Sequence, residues 1–248
     1  MTTVRSALFN IYFYVWLIFM LLIMAFFLPL PRIGMMRTVQ AWARGMHRGL
    51  KVIVGLDDRV IGRENIPDGP AIYACKHQST WDTSIFLILF NDPAYVMKKE
   101  LLAIPLWGWF ARKCEAVFVD RDGGAGALKS LVRDTQKVIA DGRDVIIFPE
   151  GTRTAPGKRN PYFPGVAALY KMVDAPVVPV ALNSGLFWGR RAFLKLPGTI
   201  TLEFLPAIPA GLDRREFTEQ LEARIETAAD RLCDTAEPAA AEGETESS

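Results

Sequence analysis

Apolar residues are unevenly spread along the 248 positions, and three textures follow one another. Residues 7–30, ALFNIYFYVWLIFMLLIMAFFLPL, hold 22 apolar residues, with only Asn10 and Pro29 outside that set. As a helix this run extends roughly 36 Å, enough to cross a bilayer core of about 30 Å. Tyr12, Tyr14 and Trp16 lie toward one end, where interfacial aromatics sit. The run is longer than the apolar core of a cleaved signal peptide, and its exit, Leu30-Pro31-Arg32, lacks a small-residue cleavage pattern. A retained anchor is therefore expected. Next, Met35, Val39, Trp42, Met46, Leu50 and Ile53 recur at helical spacing, with Arg37, Arg44, Arg48 and Lys51 on the opposite side. Two placements suit such a helix: in the plane of an anionic lipid surface, or with its stripe packed on a globular domain and its basic face in water. The cluster of arginines after the anchor places this side in the cytoplasm, at the cell's inner membrane.

From about residue 56 short apolar runs alternate with helical patterns. Ala71–Lys76, Ala116–Asp120, Asp144–Pro149, Pro176–Leu182 and Thr199–Leu205 read as strands; Thr80–Phe90, Gly126–Ala140, Gly165–Val173 and Arg214–Arg231 read as helices. The alternation predicts an α/β fold, a mostly parallel mixed sheet flanked by helices, preceded by an N-terminal hydrophobic and amphipathic two-helix membrane motif. Three segments are expected: a membrane anchor with its amphipathic helix over 1–55, an α/β domain over 56–234, and an acidic, disordered tail over 235–248. Ligands of such sheets gather beyond the C-terminal ends of the strands, which makes the polar residues there the candidates for chemistry.

Charge changes this picture little at first sight, since 29 Lys and Arg against 27 Asp and Glu leave a net +2. That balance gives no reason to propose nucleic acid as a partner. The tail, however, carries four Glu and no base, so removing its −4 from +2 leaves a body at +6. Cys75, Cys114 and Cys233 are odd in number and widely spaced, which fits a reducing compartment and neither a disulfide framework nor a zinc ribbon. No H-E-x-x-H or C-x-x-C metal spacing and no G-x-S-x-G nucleophile elbow occurs. Histidine is scarce, with only His47 and His77. His47 belongs to the amphipathic helix, so imidazole chemistry falls to His77.

Four segments carry that chemistry. In Lys76-His77-Gln78-Ser79-Thr80-Trp81-Asp82, a histidine follows a strand and an aspartate sits in the first turn of the next helix, from where its carboxylate can reach back to fix the imidazole tautomer. Val117-Phe118-Val119-Asp120-Arg121 leads into Gly123, Gly124 and Gly126, a guanidinium beside a glycine-rich helix start that suits a phosphate. Phe148-Pro149-Glu150-Gly151-Thr152-Arg153 ends an apolar strand in charges that are costly near a core unless paired or bound. Val178-Pro179-Val180 reads simply as buried strand. Cys75, two residues before His77, shares its face of an extended strand and offers a covalent route as an acylated thiol.

In order and spacing, these blocks resemble the 1-acylglycerol-3-phosphate acyltransferases, a family of glycerolipid acyltransferases, over residues 56–210. His77 to Asp82 is similar to the family's H-x4-D block, Glu115 to Arg121 to its G-x-x-F-I/V-x-R block, Phe148–Arg153 to F-P-E-G-T-R, and Val178–Val180 to V-P-V. Lys98-Lys99-Glu100-Leu101 resembles its K-x-E-L segment, and Glu115 departs from the pattern by standing where glycine is usual. The resemblance implies transfer of an acyl group from acyl-CoA or acyl carrier protein to the sn-2 hydroxyl of lysophosphatidate, giving phosphatidate, with no cofactor and no metal. It implies His77 as general base and Asp82 as its orienting partner. Arg121, Lys98 and Arg153 would hold the acceptor phosphate, and Gly151 and Thr152 belong to the same binding segment. Glu150 would position Arg153 or the glycerol hydroxyls, and N–H groups over Ser79–Trp81 would receive the oxyanion. Trp107, Trp109 and Trp188 are candidates to line an acyl tunnel. Other readings are an acyltransferase for a different lysolipid, such as a lyso-ornithine lipid, and a non-catalytic lipid-binding protein that keeps the fold.

Overall fold

A computed structural model describes residues 1–29, 31–121 and 123–236. The acidic tail beyond Ala236 lies outside the described residues. Seven strands form one sheet: β1 (Leu56–Ile61), β2 (Ile72–Cys75), β3 (Ala94–Lys98), β4 (Val117–Val119), β5 (Val145–Ile147), β6 (Val177–Leu182) and β7 (Gly198–Phe204). Their order is β1-β7-β6-β2-β5-β3-β4, with only the β6–β7 pair antiparallel. The sheet is thus mixed and mostly parallel, as expected. Strands β2, β5 and β6 are buried along their whole length, which is why their sequences run apolar without alternation.

Alternation shows instead in which layer each side chain joins. On β2, Tyr73 and Cys75 pack with α2 (Arg32–Gly49) and α3 (Asp82–Leu89), while Ile72 and Ala74 pack with α5 (Gly124–Ala140), α6 (Pro164–Met172) and α8 (Arg214–Asp234). Helix α6 starts with Pro164 in its first turn, and α8 carries a full capping box from Asp213 and Glu216. Short helices α4 (Trp107–Lys113) and α7 (Ser184–Phe187) complete the set. β1, β3 and α4 escape a periodicity reading. β1 is an edge strand whose Asp58 and Arg59 face solvent, β3 neither alternates nor stays buried along its length, and α4 spans only seven residues.

Helix α1 (Thr2–Phe27) is the one helix among the described residues long and apolar enough to cross a membrane. Its outer side exposes Val4, Leu8, Ile11, Val15, Ile18, Leu22 and Phe26, and its inner side is taken up by protein. Tyr12 donates to the Gly45 carbonyl and the Trp16 indole to the Trp42 carbonyl, so α1 lies lengthwise on α2. Close approach is possible because α2 offers glycine at both contacts. A Cβ on Gly45 would stand 2.3 Å from the Trp16 ring, and one on Gly49 would stand 2.2 Å from Tyr12.

The apolar stripe of α2 does not face lipid. Met35, Met46 and Leu50 are at most 1% exposed, and Val39, Trp42 and Ile53 pack against the same core. Of the two placements that the sequence allowed, packing on the domain is the one adopted, because α1 and α3 consume the stripe. The helix then widens into a π-helical turn, Leu50–Val54, and stops at Gly55 in the left-handed conformation (φ 79°). Replacing Gly45 by Val should push Trp16 off α2 and destabilise the fold by about 1–3 kcal/mol. A drop of several degrees in the thermal midpoint of the full chain in detergent would show it; an unchanged midpoint would contradict the packing described.

Candidate active site

Five parallel strands, β6, β2, β5, β3 and β4, point the same way and bring their C-terminal ends to one edge. The residues that follow them surround a cleft of about 680 Å³, lined among others by His77 after β2, Lys98 at the end of β3, Arg121 after β4, and Gly151 and Arg153 after β5. The N-terminus of α5 opens onto it through Gly124, and α1 and α2 supply Phe13, Leu17 and Trp42. An apolar recess of about 190 Å³ adjoins the cleft, sharing Leu17, Trp42, Tyr95, Met97 and Trp107 with it and closing on Met24, Leu87 and Phe110.

At the centre, Nδ1 of His77 lies 3.0 Å from Oδ2 of Asp82. Asp82 is completely buried, and its carboxylate is saturated by donors. Oδ2 also accepts the backbone N–H of Gln78 (2.6 Å) and of Ser79 (2.7 Å), and Oδ1 accepts the hydroxyl of Ser184 (2.5 Å), which follows β6. Those bonds fix the turn between β2 and α3, and with it the imidazole. A carboxylate accepting from Nδ1 leaves Nε2 as the basic nitrogen, and Nε2 has no partner among the described residues. The ring is further clamped by stacking on Phe148, with centroids 4.2 Å apart.

A second buried network stands behind the pair. The Lys76 ammonium, 1% exposed, donates to Oε1 of Glu150 (2.8 Å) and to both oxygens of Glu226 on α8 (2.8 and 2.9 Å). Tyr162 donates to Glu226, and burial, with Glu226, Glu150 and Glu222 nearby, pushes its pKa far up, so it keeps its proton. The other oxygen of Glu150 accepts the His77 backbone N–H at 3.2 Å. Sequence reasoning passes over Ser184 and Glu226, since nothing local marks a serine or a helical glutamate that acts across 102 or 150 positions.

Several expectations need correcting. Glu150 does not reach Arg153 or the cleft; Lys76 and the His77 backbone take both of its oxygens. Thr152 is exposed and lines no part of the cleft. Of the N–H groups over Ser79–Trp81, that of Ser79 is spent on Asp82 and that of Trp81 on the Ser79 hydroxyl, which leaves only Thr80 without an acceptor. Trp107 lines the cleft and recess, whereas Trp109 is 55% exposed and Trp188 packs on Phe9 and Phe13. Glu115 adopts φ 54°, which explains a glycine pattern at this turn. Its carboxylate points to Arg143 and Arg32 and lines neither hollow.

Arg121 and Arg153 are partly buried cations without an ion-pair partner among the described residues. Burial lowers the pKa of both, and Arg190 and Arg191 push that of Arg153 down further while Asp82 opposes them. Arg121 lies over the Phe163 ring at 4.9 Å, and Arg153 donates to the Thr80 hydroxyl at 2.9 Å. Gly151 sits between them at φ 63°, where a Cβ would stand 2.7 Å from the Arg121 guanidinium. Only glycine fits both the turn and the approach.

A His–Asp pair at the mouth of a mostly parallel α/β sheet, beside unpaired arginines, matches a known class. Residues 58–183 match the family model described as Acyltransferase, and the chain belongs to that family. The relatives are narrower in their naming. A 1-acyl-sn-glycerol-3-phosphate acyltransferase of Pseudomonas aeruginosa is 35% identical over 188 residues, covering 76% of this chain and 73% of its own length. One of Saccharomyces cerevisiae is 32% identical over 145 residues, covering 57% of this chain and 48% of its own. The crystal structure of the 1-acyl-sn-glycerophosphate (LPA) acyltransferase PlsC from Thermotoga maritima has the same fold, with a TM-score of 0.73 over 94% of this chain and 98% of that one, at 23% identity.

Two outcomes are expected. Lys76→Met leaves two buried carboxylates without their cation and should destabilise the protein by about 3–5 kcal/mol; chemical unfolding measures it, and a loss below about 1 kcal/mol would refute the network's importance. Cys75 is fully buried, and burial, aided by Asp82 and Glu150, pushes its thiol well above the usual value. Cys75→Ala should therefore retain acyl transfer, and the wild-type thiol should resist alkylation until the chain unfolds.

Proposed function

We propose that this acyltransferase moves a fatty acyl group from acyl-CoA or acyl carrier protein to the sn-2 hydroxyl of 1-acylglycerol-3-phosphate, forming phosphatidate. The observation that carries the proposal is the His77–Asp82 pair at 3.0 Å, held in a cleft that joins two unpaired arginines to an apolar recess. The relatives named for this reaction support the same acceptor.

Nε2 of His77 takes the proton of the acceptor hydroxyl, and Asp82 stabilises the imidazolium that forms. The oxygen attacks the thioester carbonyl directly. The donors left for the oxyanion are the Thr80 N–H, the Thr80 hydroxyl and the Arg153 guanidinium. Collapse of the intermediate expels the thiolate, which recovers the proton from His77. Arg121 and Lys98 hold the acceptor phosphate, with the α5 N-terminus at Gly124 adding its dipole. The apolar recess takes an acyl chain.

The outer face of α1 rests in lipid, and because α1 also walls the cleft, a lysolipid enters from the membrane without passing through water. In this reading the site faces the cytoplasm at the cell's inner membrane, the side that the basic residues Arg37, Arg44 and Arg48 next to the anchor favour.

His77→Ala should lower acyl transfer roughly a thousandfold without unfolding the protein. Near-wild-type transfer by that variant would sink the mechanism and point to a lipid-binding role. Arg121→Ala should raise the KM for lysophosphatidate about tenfold or more. If that constant stays unchanged, an acceptor without phosphate becomes the better reading.

A further inference from the structure

A second hollow lies beside the cleft, and the roles assigned so far leave it unused. It measures about 410 Å³ and runs between α1 and the segment after α7, lined by Asn10, Tyr14, Arg153, Trp188, Arg191 and Lys195. It meets the catalytic cleft at Phe13, Thr80 and Arg153, which line both. Arg121 and Lys98 line only the cleft; Arg191 and Lys195 line only the hollow. The two groups of cations thus meet only at Arg153, which lines the cleft of His77 and the hollow alike.

No carboxylate among the described residues pairs with Arg153, Arg190, Arg191 or Lys195, although the chain carries 27 acidic residues. Arg190 and Arg191 repel Arg153. Asp82 offsets the repulsion at Arg153, and the exposed Arg190 and Arg191 are left open to a further anion. Arg191 itself adopts φ 57° in a tight turn closed by the Ala192 N–H on the Gly189 carbonyl, a place that suits Gly or Asn better. A strained arginine kept at such a position points to a use for its side chain. The wall behind it is rigid. The Lys195 ammonium donates to Oδ1 of Asn10 (2.5 Å) and to the carbonyls of Phe193 and Ala192, and it lies over the Trp188 ring at 5.3 Å. With its donors spent, Lys195 lends charge and Arg191 is left to donate, while Arg153, at the junction of hollow and cleft, stays with the oxyanion.

We propose that this hollow is a second phosphate subsite, which holds the phosphate of the acyl donor's phosphopantetheine arm. The inference rests on the acyl-transfer reading above. Coenzyme A and acyl carrier protein share that arm, so one subsite serves either donor. Two anionic substrates that must meet at one histidine need separate countercharges, and the two cation groups supply them. A bulk lipid headgroup would need no passage to His77, whereas this hollow opens onto it through the Thr80–Arg153 contact.

The test uses the full chain in detergent, with palmitoyl-CoA and palmitoyl-carrier protein as donors and lysophosphatidate as acceptor. Arg191→Gly removes the guanidinium and relieves the left-handed strain, so the variant folds, with a thermal midpoint no lower than wild type. Arg191→Gly, alone and with Arg190→Ala, should raise the KM for both donors about tenfold and leave that for lysophosphatidate unchanged. This is the reverse of the pattern expected for Arg121→Ala. A rise in the lysophosphatidate constant instead would overturn the proposal in favour of an acceptor subsite. Unchanged constants overturn it too, and weaker sedimentation with phosphatidylglycerol vesicles would then assign the cations to lipid headgroups. No turnover by the wild-type chain with either donor would defeat the acyl-transfer reading itself and this inference with it.

Discussion

A single buried carboxylate organises this molecule. Asp82 has no solvent contact, so its charge is tolerable only because four donors converge on it: two backbone N–H groups of the β2–α3 turn, the His77 imidazole and the Ser184 hydroxyl. Each donor belongs to a different structural task. The turn amides set the path of the chain out of β2, the imidazole is held with Nε2 toward the cleft as the proposed base, and Ser184 fastens the end of β6 to the same point. Losing the carboxylate would therefore release the turn, the tautomer and the register of two strand ends together.

The Lys76 network does the corresponding work one layer deeper. Lys76 precedes His77, Glu150 holds the His77 backbone N–H, and Glu226 draws in α8. A buried ammonium between two carboxylates is a poor source of net stability, since desolvation offsets most of the attraction. Its value here is directional: it ties β2, the turn after β5 and the terminal helix to a common centre directly behind His77. Glu150, standing in the middle of the most distinctive motif of the chain, thus acts on the scaffold of the site and does not enter the cleft.

The N-terminal helices build part of the site. Helix α1 lies on α2 because Gly45 and Gly49 admit Trp16 and Tyr12, and the pair then walls both the cleft and its apolar recess. Hydrophobic surface is divided accordingly. The stripe of α2 is consumed inside, and the outward stripe of α1 is what remains exposed. Hydrophobic periodicity alone does not tell these faces apart, because a stripe that meets protein and a stripe that meets lipid are written with the same residues.

Much of this was legible in the chain itself. The apolar strands β2, β5 and β6, the helices with a clear period, the α/β class and the residues at the strand ends follow from local patterns, because each depends on neighbours a few positions away. His77 and Asp82 are five residues apart, and one turn suffices to bring them together. The edge strand β1, the unpatterned β3, the short α4, the fate of the α2 stripe and the roles of Ser184 and Glu226 depend on partners far along the chain. Glu150 shows the boundary most sharply. Its sequence position announces a charged residue at a strand end, but whether that charge turns to the substrate or to the core is decided by the ammonium it meets there. Sequence alone determined which groups are present and near which strand end; tertiary packing decided which of them face the cleft, since burying a charge requires a partner that only the folded chain brings within reach.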